Sequence, residues 1–520
     1  MRIDRVQIKS YKNLTDFEID IDEGKMITVL LGQNATGKSN FIEALVLIFK
    51  HLDLNTDTKR SYPIFEYEIN YQIKNQIIEV AYSNKKYTVS VDEKPLSLKD
   101  FFSIENKKLF QPKYVFTYYS GISNKLKEHF WDHQNTFYDK IIKEDFNKEE
   151  IDDLRKLFYV QLVHSYFVLL GFYTHRTAST NDFLNDVLGI EDINSVLFIL
   201  KKPEWAKDKE DVFWGAKGLV RNFLNILWEL SFAPIYNSER IRKDFREYDS
   251  QERLYLYLKG NTEIDSLANH YSSNVELFKA LESTYISKLL EEVRIRVKKR
   301  NIDQSITFRD LSEGEQQLLT VLGLLKFTKD EDSLILLDEP DTHLNPLWKW
   351  HYMKYLEEVV QKPESTQIFI NTHDPLVIGS LVKEEVRIFT KTDNGTVVNQ
   401  PDIDPRGLGV DNILKSELFG LPSTLDEPTL QKIERRNCLA IKNANNEASE
   451  KELFELNQLH NELQTLGFTN PFNDPLYQKF AVAYQQYEQE EHNATYSSDQ
   501  LKKQEEIALS IINRLKSEEK

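Results

Sequence analysis

The octapeptide Gly32, Gln33, Asn34, Ala35, Thr36, Gly37, Lys38, Ser39 constrains this chain more than any other stretch. It follows the nearly continuous apolar run Met26 to Leu31, the kind of strand buried on both faces of a parallel sheet. After it come Phe41, Ala44, Leu45 and Ile48 at the spacing of one helix face. Strand, glycine-rich turn and helix in that order set backbone N–H groups and a helix N-terminus where they can wrap a polyphosphate such as ATP. Lys38 is then placed to neutralise the β and γ oxygens and Ser39 to ligate Mg²⁺, within a binding segment running from Gly32 to Asn40. Average residue usage gives this pattern by chance in about two of a hundred chains of this length, so a plain glycine-rich turn is the weaker reading.

A second solid apolar strand, Leu334 to Leu337, ends in Asp338 and Glu339. Such a pair is ordinarily a solvated turn. Beside a phosphate loop it reads instead as Asp338 holding the Mg²⁺ shell and Glu339 orienting and polarising the attacking water. Between the two motifs lie Ser312, Glu313, Gly314, Glu315 and Gln316, followed by Leu318, Leu319 and Leu322 at helical spacing. The Ser312 hydroxyl and the Gly314 backbone offer a second anion site at a helix N-terminus. One chain carries one nucleotide pocket, so a second site makes sense if it closes on the γ-phosphate held by a partner copy. Taken alone, the stretch reads equally as a capped helix start.

The rest of the chain sorts into segments. Phe65, Tyr67, Ile69, Tyr71 and Ile73 alternate with polar residues, and Ile78 to Tyr82 and Tyr87 to Val91 flank a Ser-Asn-Lys-Lys turn, so an antiparallel sheet is expected near the N-terminus. From about Ile122 to Leu290 the pattern reads as helical and aromatic-rich, with Ile151, Leu154, Leu157 and Phe158 on one helix face. Strand and helix alternation returns after Arg300, with Ile368 to Ile370 another buried strand. From about Ser423 the chain is polar and helical, with a stripe at Leu453, Leu456 and Leu459. The expected fold is α/β: a P-loop head of mixed sheet, split into 1–121 and 294–422, with a helical insertion at 122–293 and a helical partner-binding module at 423–520.

Composition narrows the setting. A net charge of −17 argues against a protein coated in nucleic acid, so any DNA contact must be local. The single Cys438 excludes an intrachain disulfide and, with no apolar signal core and no span of about 20 apolar residues, points to the cytoplasm and away from membranes.

Ser312 to Gln316 resembles the signature motif of ABC ATPases, Asp341 their D-loop, and His373 the switch histidine that touches the γ-phosphate. The short N-terminal strands and the run Asp338 to Pro346 are similar to the SMC-like and RecF-like branch, which acts on DNA or in phage defence. That resemblance implies an ATPase that works as a homo-oligomer through paired heads. A departure stands at Thr117 to Gly121, where the family's glutamine is missing; slow, regulatory turnover is the expectation. Asp402 and Asp404 have the Asp-x-Asp form of the OLD nucleases but lack the preceding apolar strand, and read as a loop. Arg294, Arg296 and Lys298 share one strand face, either a phosphate track or a guarded edge. By architecture the chain resembles the PtuA ATPases of Septu anti-phage systems and of some retrons. This implies an HNH endonuclease partner of the PtuB type and, in retrons, a reverse transcriptase with its RNA–DNA hybrid. A RecF-like DNA-repair clamp and an OLD-like ATPase with its own nuclease are the alternatives.

Overall fold

In a computed structural model, residues 1–121, 125–141, 156–206, 211–242, 244–302, 305–328, 332–360, 363–393, 395–445, 447–468, 480 and 498–518 are described. The chain opens with β1 (Arg2–Tyr11), β2 (Leu14–Asp20) and β3 (Ile27–Gly32), followed by helix α1 (Lys38–Leu54). Then come β4 (Tyr67–Ile73), β5 (Gln76–Ser83), β6 (Lys86–Val91) and the two-residue β7 (Lys94–Pro95). All but β3 form the expected antiparallel sheet, in the order β2-β1-β4-β5-β6-β7. Period-2 alternation fixes its register: Tyr67, Ile69, Tyr71 and Ile73 are buried while Glu68 and Gln72 are exposed.

Next are β8 (Tyr114–Tyr119), α2 (Trp131–Ile141), β9 (Leu157–Val160) and α3 (Val163–Thr174). They are followed by β10 (Ile190–Lys201), α4 (Gly218–Leu230), β11 (Ile235–Arg242), β12 (Tyr248–Leu258), α5 (Asn274–Ile286), β13 (Leu290–Lys299) and β14 (Ile306–Thr307). The head resumes with α6 (Glu313–Thr328), β15 (Ser333–Asp338), α7 (Pro346–Val359), β16 (Thr366–Asn371), β17 (Val386–Thr392) and β18 (Gly395–Asn399). A seven-stranded sheet in the order β18-β17-β3-β16-β15-β8-β9 is parallel except for β18. Its middle strands are solid apolar runs, as buried parallel strands must be. Helix α1 lies between the two sheets, with Phe17 and Phe369 both against Phe41, and Tyr71 against Phe49. That explains why it is buried beyond the one face its spacing suggests: Ile42, Val46 and Leu47 are covered too.

The insertion differs from the expectation of helices alone. Strands β10 to β14 make a five-stranded antiparallel sheet, order β11-β12-β10-β13-β14, against which α4 and α5 pack. Leu254, Leu256 and Leu258 face inward, but Tyr255 and Tyr257 lie between them, so both faces are apolar in sequence and the period of 2 is hidden. Leu157 and Phe158, expected on a helix face with Ile151 and Leu154, instead form β9 on the head sheet. Ile151 and Leu154 lie outside the described residues.

Gly379–Lys383 and Gln400–Lys520 form a second compact unit. Its helices include α8 (Glu427–Ala444), α9 (Glu450–Thr465) and α10 (Ser498–Glu518). Leu456 of the expected stripe is buried with Leu439 and Ala440 of α8, and Arg435 grips Glu455 with two bonds of 2.7 and 2.8 Å. Leu456 and Leu459 of the stripe thus pack on the preceding helix. Asp402 and Asp404 lie in a loop, where Asp404 accepts the N–H of Lys383 at 2.8 Å. Among the described residues no helix is long and apolar enough to cross a membrane.

Candidate nucleotide site

Parallel pairing brings the C-terminal ends of β3, β16, β15 and β8 to one edge, with Asp338 level with Asn371 and Tyr119, and Asn371 level with Leu30. Crevices at such strand ends are where parallel α/β sheets take ligands. The Gly32–Ser39 turn begins there. Gly37 sits at φ 106°, a conformation closed to most side chains, and caps α1 without a side-chain bond; no acidic residue occupies the helix's first turn. The N–H groups and dipole of α1 are therefore open to an anion.

Lys38 is buried, and its Nζ donates to the carbonyls of Gly32 at 2.7 Å and Gln33 at 3.0 Å, so the ammonium lies folded against the loop it belongs to. Burial lowers its pKa to about 8, partly offset by Asp338 and Glu339. Polar residues from outside the motif brace the loop: Asn13 Nδ2 donates to Ala35 O at 3.0 Å, Asn40 Nδ2 to Asn13 Oδ1 at 2.6 Å, and Thr396 Oγ1 to Thr36 O at 2.8 Å. None of the outside residues forms a motif in sequence.

At the end of β15, Asp338 is buried and its Oδ1 accepts from Asn371 Nδ2, which also lies 3.3 Å from Ser39 Oγ. Asp338 Oδ2 and Asn371 Oδ1 are buried with no hydrogen-bond partner. Burial pushes Asp338 up to about 6, against the opposing pull of the Ser39 hydroxyl and the Asn371 amide beside it. An orphaned carboxylate oxygen beside a serine hydroxyl, next to an anion-ready helix end, fits a hard cation with oxygen ligands. Glu339 holds a positive φ of 52°, rare for a residue with a side chain, and its N–H donates to Asn371 O at 2.8 Å. Its Oε1 is 3.8 Å from His373 Nε2. The His373 pKa is lowered, by burial first and then by Lys38.

Asp341 is buried, accepts from Thr372 Oγ1 at 2.9 Å, and is raised by burial to about 6. Just past β8, where the family's glutamine is missing, stands Ser120, its hydroxyl 3.1 Å from Thr342 Oγ1. Gln161, after the neighbouring β9, takes a bond from Tyr285 at 3.0 Å within the insertion.

The Ser312–Gln316 stretch caps α6. Ser312 N and Oγ donate to Glu315 Oε2 at 2.9 and 3.0 Å, Glu315 also takes Lys299, and Gln316 Nε2 donates to Leu311 O at 3.0 Å. Gly314 is needed for a close approach: a Cβ there would stand 2.5 Å from the carbonyl oxygen of His343. Glu313 pairs with that same His343 at 3.1 Å. Among the described residues, no hydrogen bond or ion pair joins Ser312–Gln316 to Gly32–Asn40. Of the expected site residues, the fold gathers Gly32–Asn40, Asp338, Glu339 and His373 at one edge. Asp341 joins them through Thr372, which is adjacent to His373 in sequence, whereas among the described residues no hydrogen bond or ion pair links the signature residues to the P-loop. Asn371 is the member that sequence reasoning missed; its only signal is a polar residue closing a solid apolar strand.

An α/β head of this topology, carrying a P-loop on the strand beside the one that ends in Asn371, is an ABC-type ATPase head. Residues 1–378 match the AAA ATPase domain family, and the chain belongs to that family. Over 216 residues it is 26% identical to the Septu protein PtuA of Bacillus mycoides, covering 39% of this chain and 30% of that protein. Over 171 residues it is 25% identical to the Retron Vc95 probable ATPase of Vibrio cholerae, covering 30% and 32%. The matched stretches thus span just under a third of those two relatives. The DNA replication and repair protein RecF of Streptococcus agalactiae is 21% identical over 429 residues, 77% of this chain and 99% of RecF. Among solved structures, the SMC head domain from Thermotoga maritima aligns over 78% of the chain at 13% identity and a TM-score of 0.31, a loose likeness.

Proposed function

We propose that the protein binds ATP with Mg²⁺ on Gly32–Asn40 and hydrolyses it slowly at a composite site made by two copies. The observation that carries this reading is the convergence of Lys38, Ser39, Asp338, Glu339, Asn371 and His373 on one sheet edge, with Asp338 Oδ2 left unpartnered. Lys38 leaves the loop carbonyls for the β and γ oxygens. Ser39 and Asp338 would hold Mg²⁺, which supplies positive charge to the phosphates when bound. Glu339 orients and polarises the attacking water, and its strained backbone fixes the carboxylate. His373 contacts the γ-phosphate and reports its presence to Glu339. Ser312 and Gly314, whose described contacts lie with Glu315 and His343, act on the γ-phosphate of the opposing copy, and Asp341 lies at that interface. Lys38→Ala should abolish binding, whereas Glu339→Gln should keep binding and lose turnover; equal ATPase rates in both variants and the wild type would sink the assignment.

The similarity to PtuA and to the retron ATPase supports a regulatory role in cytoplasmic anti-phage defence. In that role 1–121 and 294–422 form the head, 122–293 the lid, and 423–520 the docking module for an HNH endonuclease. A reverse transcriptase with its RNA–DNA hybrid joins in retron settings. Truncation after Thr424 should then keep ATPase activity and lose co-purification of the nuclease. The RecF match, which spans 99% of that protein, favours a second reading as a DNA-repair clamp. ATP-dependent residence on DNA without any nuclease partner would select it.

A further inference from the structure

The edge of the insertion sheet carries a surface that ATP chemistry does not use. Strands β11 and β12 form a hairpin whose tip, from Arg240 to Ser250, is exposed at almost every described residue. Opposite residues of an antiparallel pair share a face, and here the pairing sorts the charges. Arg240 lies opposite Ser250 and Arg242 opposite Tyr248 on one face; Glu239 opposite Gln251 and Ile241 opposite Asp249 occupy the other. On the first face the guanidinium carbons of Arg240 and Arg242 lie 4.8 and 5.9 Å from the centroid of the Tyr248 ring. In the turn, Arg246 lies 5.1 Å from the Phe245 centroid.

The nearby carboxylates are largely spent elsewhere. Glu239 is bound by Arg253 and Tyr255, and Asp244 Oδ1 caps the turn by accepting the N–H groups of Arg246 and Glu247 at 2.7 Å each. Glu247 remains, exposed in the turn. Arg242 is aimed by the same turn, donating to the carbonyls of Asp244 at 2.9 Å and Phe245 at 2.8 Å. Among the described residues no carboxylate pairs with Arg240, Arg242 or Arg246. Charges that merely guard an edge strand against aggregation account for the arginines. They do not account for Phe245 at 74% exposure and Tyr248 at 49%, two large rings set in water among cations.

We infer that this hairpin tip binds single-stranded nucleic acid, with Tyr248 and Phe245 stacking on unpaired bases and Arg240, Arg242 and Arg246 holding the phosphates. Exposed ring faces select a strand whose bases are free; in a duplex they are already stacked. In a chain of net charge −17 the contact is local and steeply salt-dependent. The inference does not rest on the ATPase reading.

The test uses the full chain and fluorescence anisotropy with labelled oligothymidylate, oligouridylate and a blunt duplex, each about 20 nucleotides long. Both single strands should bind more tightly than the duplex; binding of only one would assign the site to DNA or to RNA. Arg240→Ala with Arg242→Ala should weaken binding about tenfold or more and flatten the salt dependence, and reversal of both to Glu should abolish it. Tyr248→Ser should weaken the single strands about tenfold and leave the duplex unmoved. ATPase rate and melting temperature should stay at the wild-type values, showing that the variants are folded. Absence of single-strand binding by the wild type, or equal affinity in the charge-reversed variant, would overturn the inference.

Discussion

Two buried carboxylates, Glu282 on α5 and Asp338 at the end of β15, meet burial in opposite ways. Glu282 Oε2 lies 2.9 Å from His164 Nε2, while His164 Nδ1 accepts the N–H of Gln161 at 2.8 Å. Around them stand Phe158, Phe167, Phe278 and Tyr285. Both ring nitrogens of His164 have partners, and the pair ties α3 to α5 inside the insertion. Asp338 keeps one oxygen with no partner, and burial lifts its pKa to about 6. Native interiors rarely leave a polar atom orphaned, because doing so costs about 1–3 kcal/mol or more for a charge. The contrast separates a closed structural pair from a carboxylate open to a ligand.

The largest expected effect falls on the closed pair. Glu282→Ala should cost about 3–5 kcal/mol of stability, read by urea denaturation, with ATPase activity per folded molecule unchanged. A stable variant would break the contrast. Next come Lys38→Ala and Glu339→Gln, each expected to cut turnover about a hundredfold or more while melting stays near wild type. A rate within twofold of wild type in either variant would remove the open carboxylate edge as the reacting site.

Gly314→Ala sharpens the picture on the signature side. The added methyl must push the start of α6 away from the His343 carbonyl, at a cost of about 1–3 kcal/mol. Turnover should fall with ATP affinity intact; a fall in affinity instead would place Gly314 against its own chain's nucleotide.

The smallest effect is a pH dependence. Asp338 has a raised folded pKa, so its stabilising contribution is complete below the ordinary carboxylate value of 3.8 and is lost as the pH rises through about 6. Asp341, raised to about 6 by burial, acts in the same direction. The ligand-free protein should therefore gain a few degrees of melting temperature from these groups between about pH 7.5 and about pH 5, and Asp338→Asn should reduce that gain. An identical pH slope in the variant would contradict the assignment.

The parts of the site legible in sequence were those written as contiguous motifs on solid apolar strands. Gly32–Ser39 and Asp338–Glu339 sit at the ends of β3 and β15, where burial on both faces leaves an unambiguous apolar run. Asn13, Asn371 and Thr396 reach the same place from distant segments as single polar residues, which no spacing rule marks. The insertion sheet was hidden because Tyr255 and Tyr257 fill the polar half of the β12 alternation. In sequence Gly314 reads as a backbone donor; that it also admits the His343 carbonyl depends on a contact across the fold.

Mixing two singly disabled chains tests the composite site most directly. Lys38→Ala removes the nucleotide cation but leaves the signature intact, and Ser312→Arg blocks the signature but leaves the nucleotide pocket. Each alone should be inactive. Mixed in equal amounts, random pairing gives half mixed dimers with one sound site in two, so about a quarter of the wild-type ATPase rate should return. A mixture as inactive as its components, under conditions where crosslinking shows that the subunits have exchanged, would contradict hydrolysis between two copies.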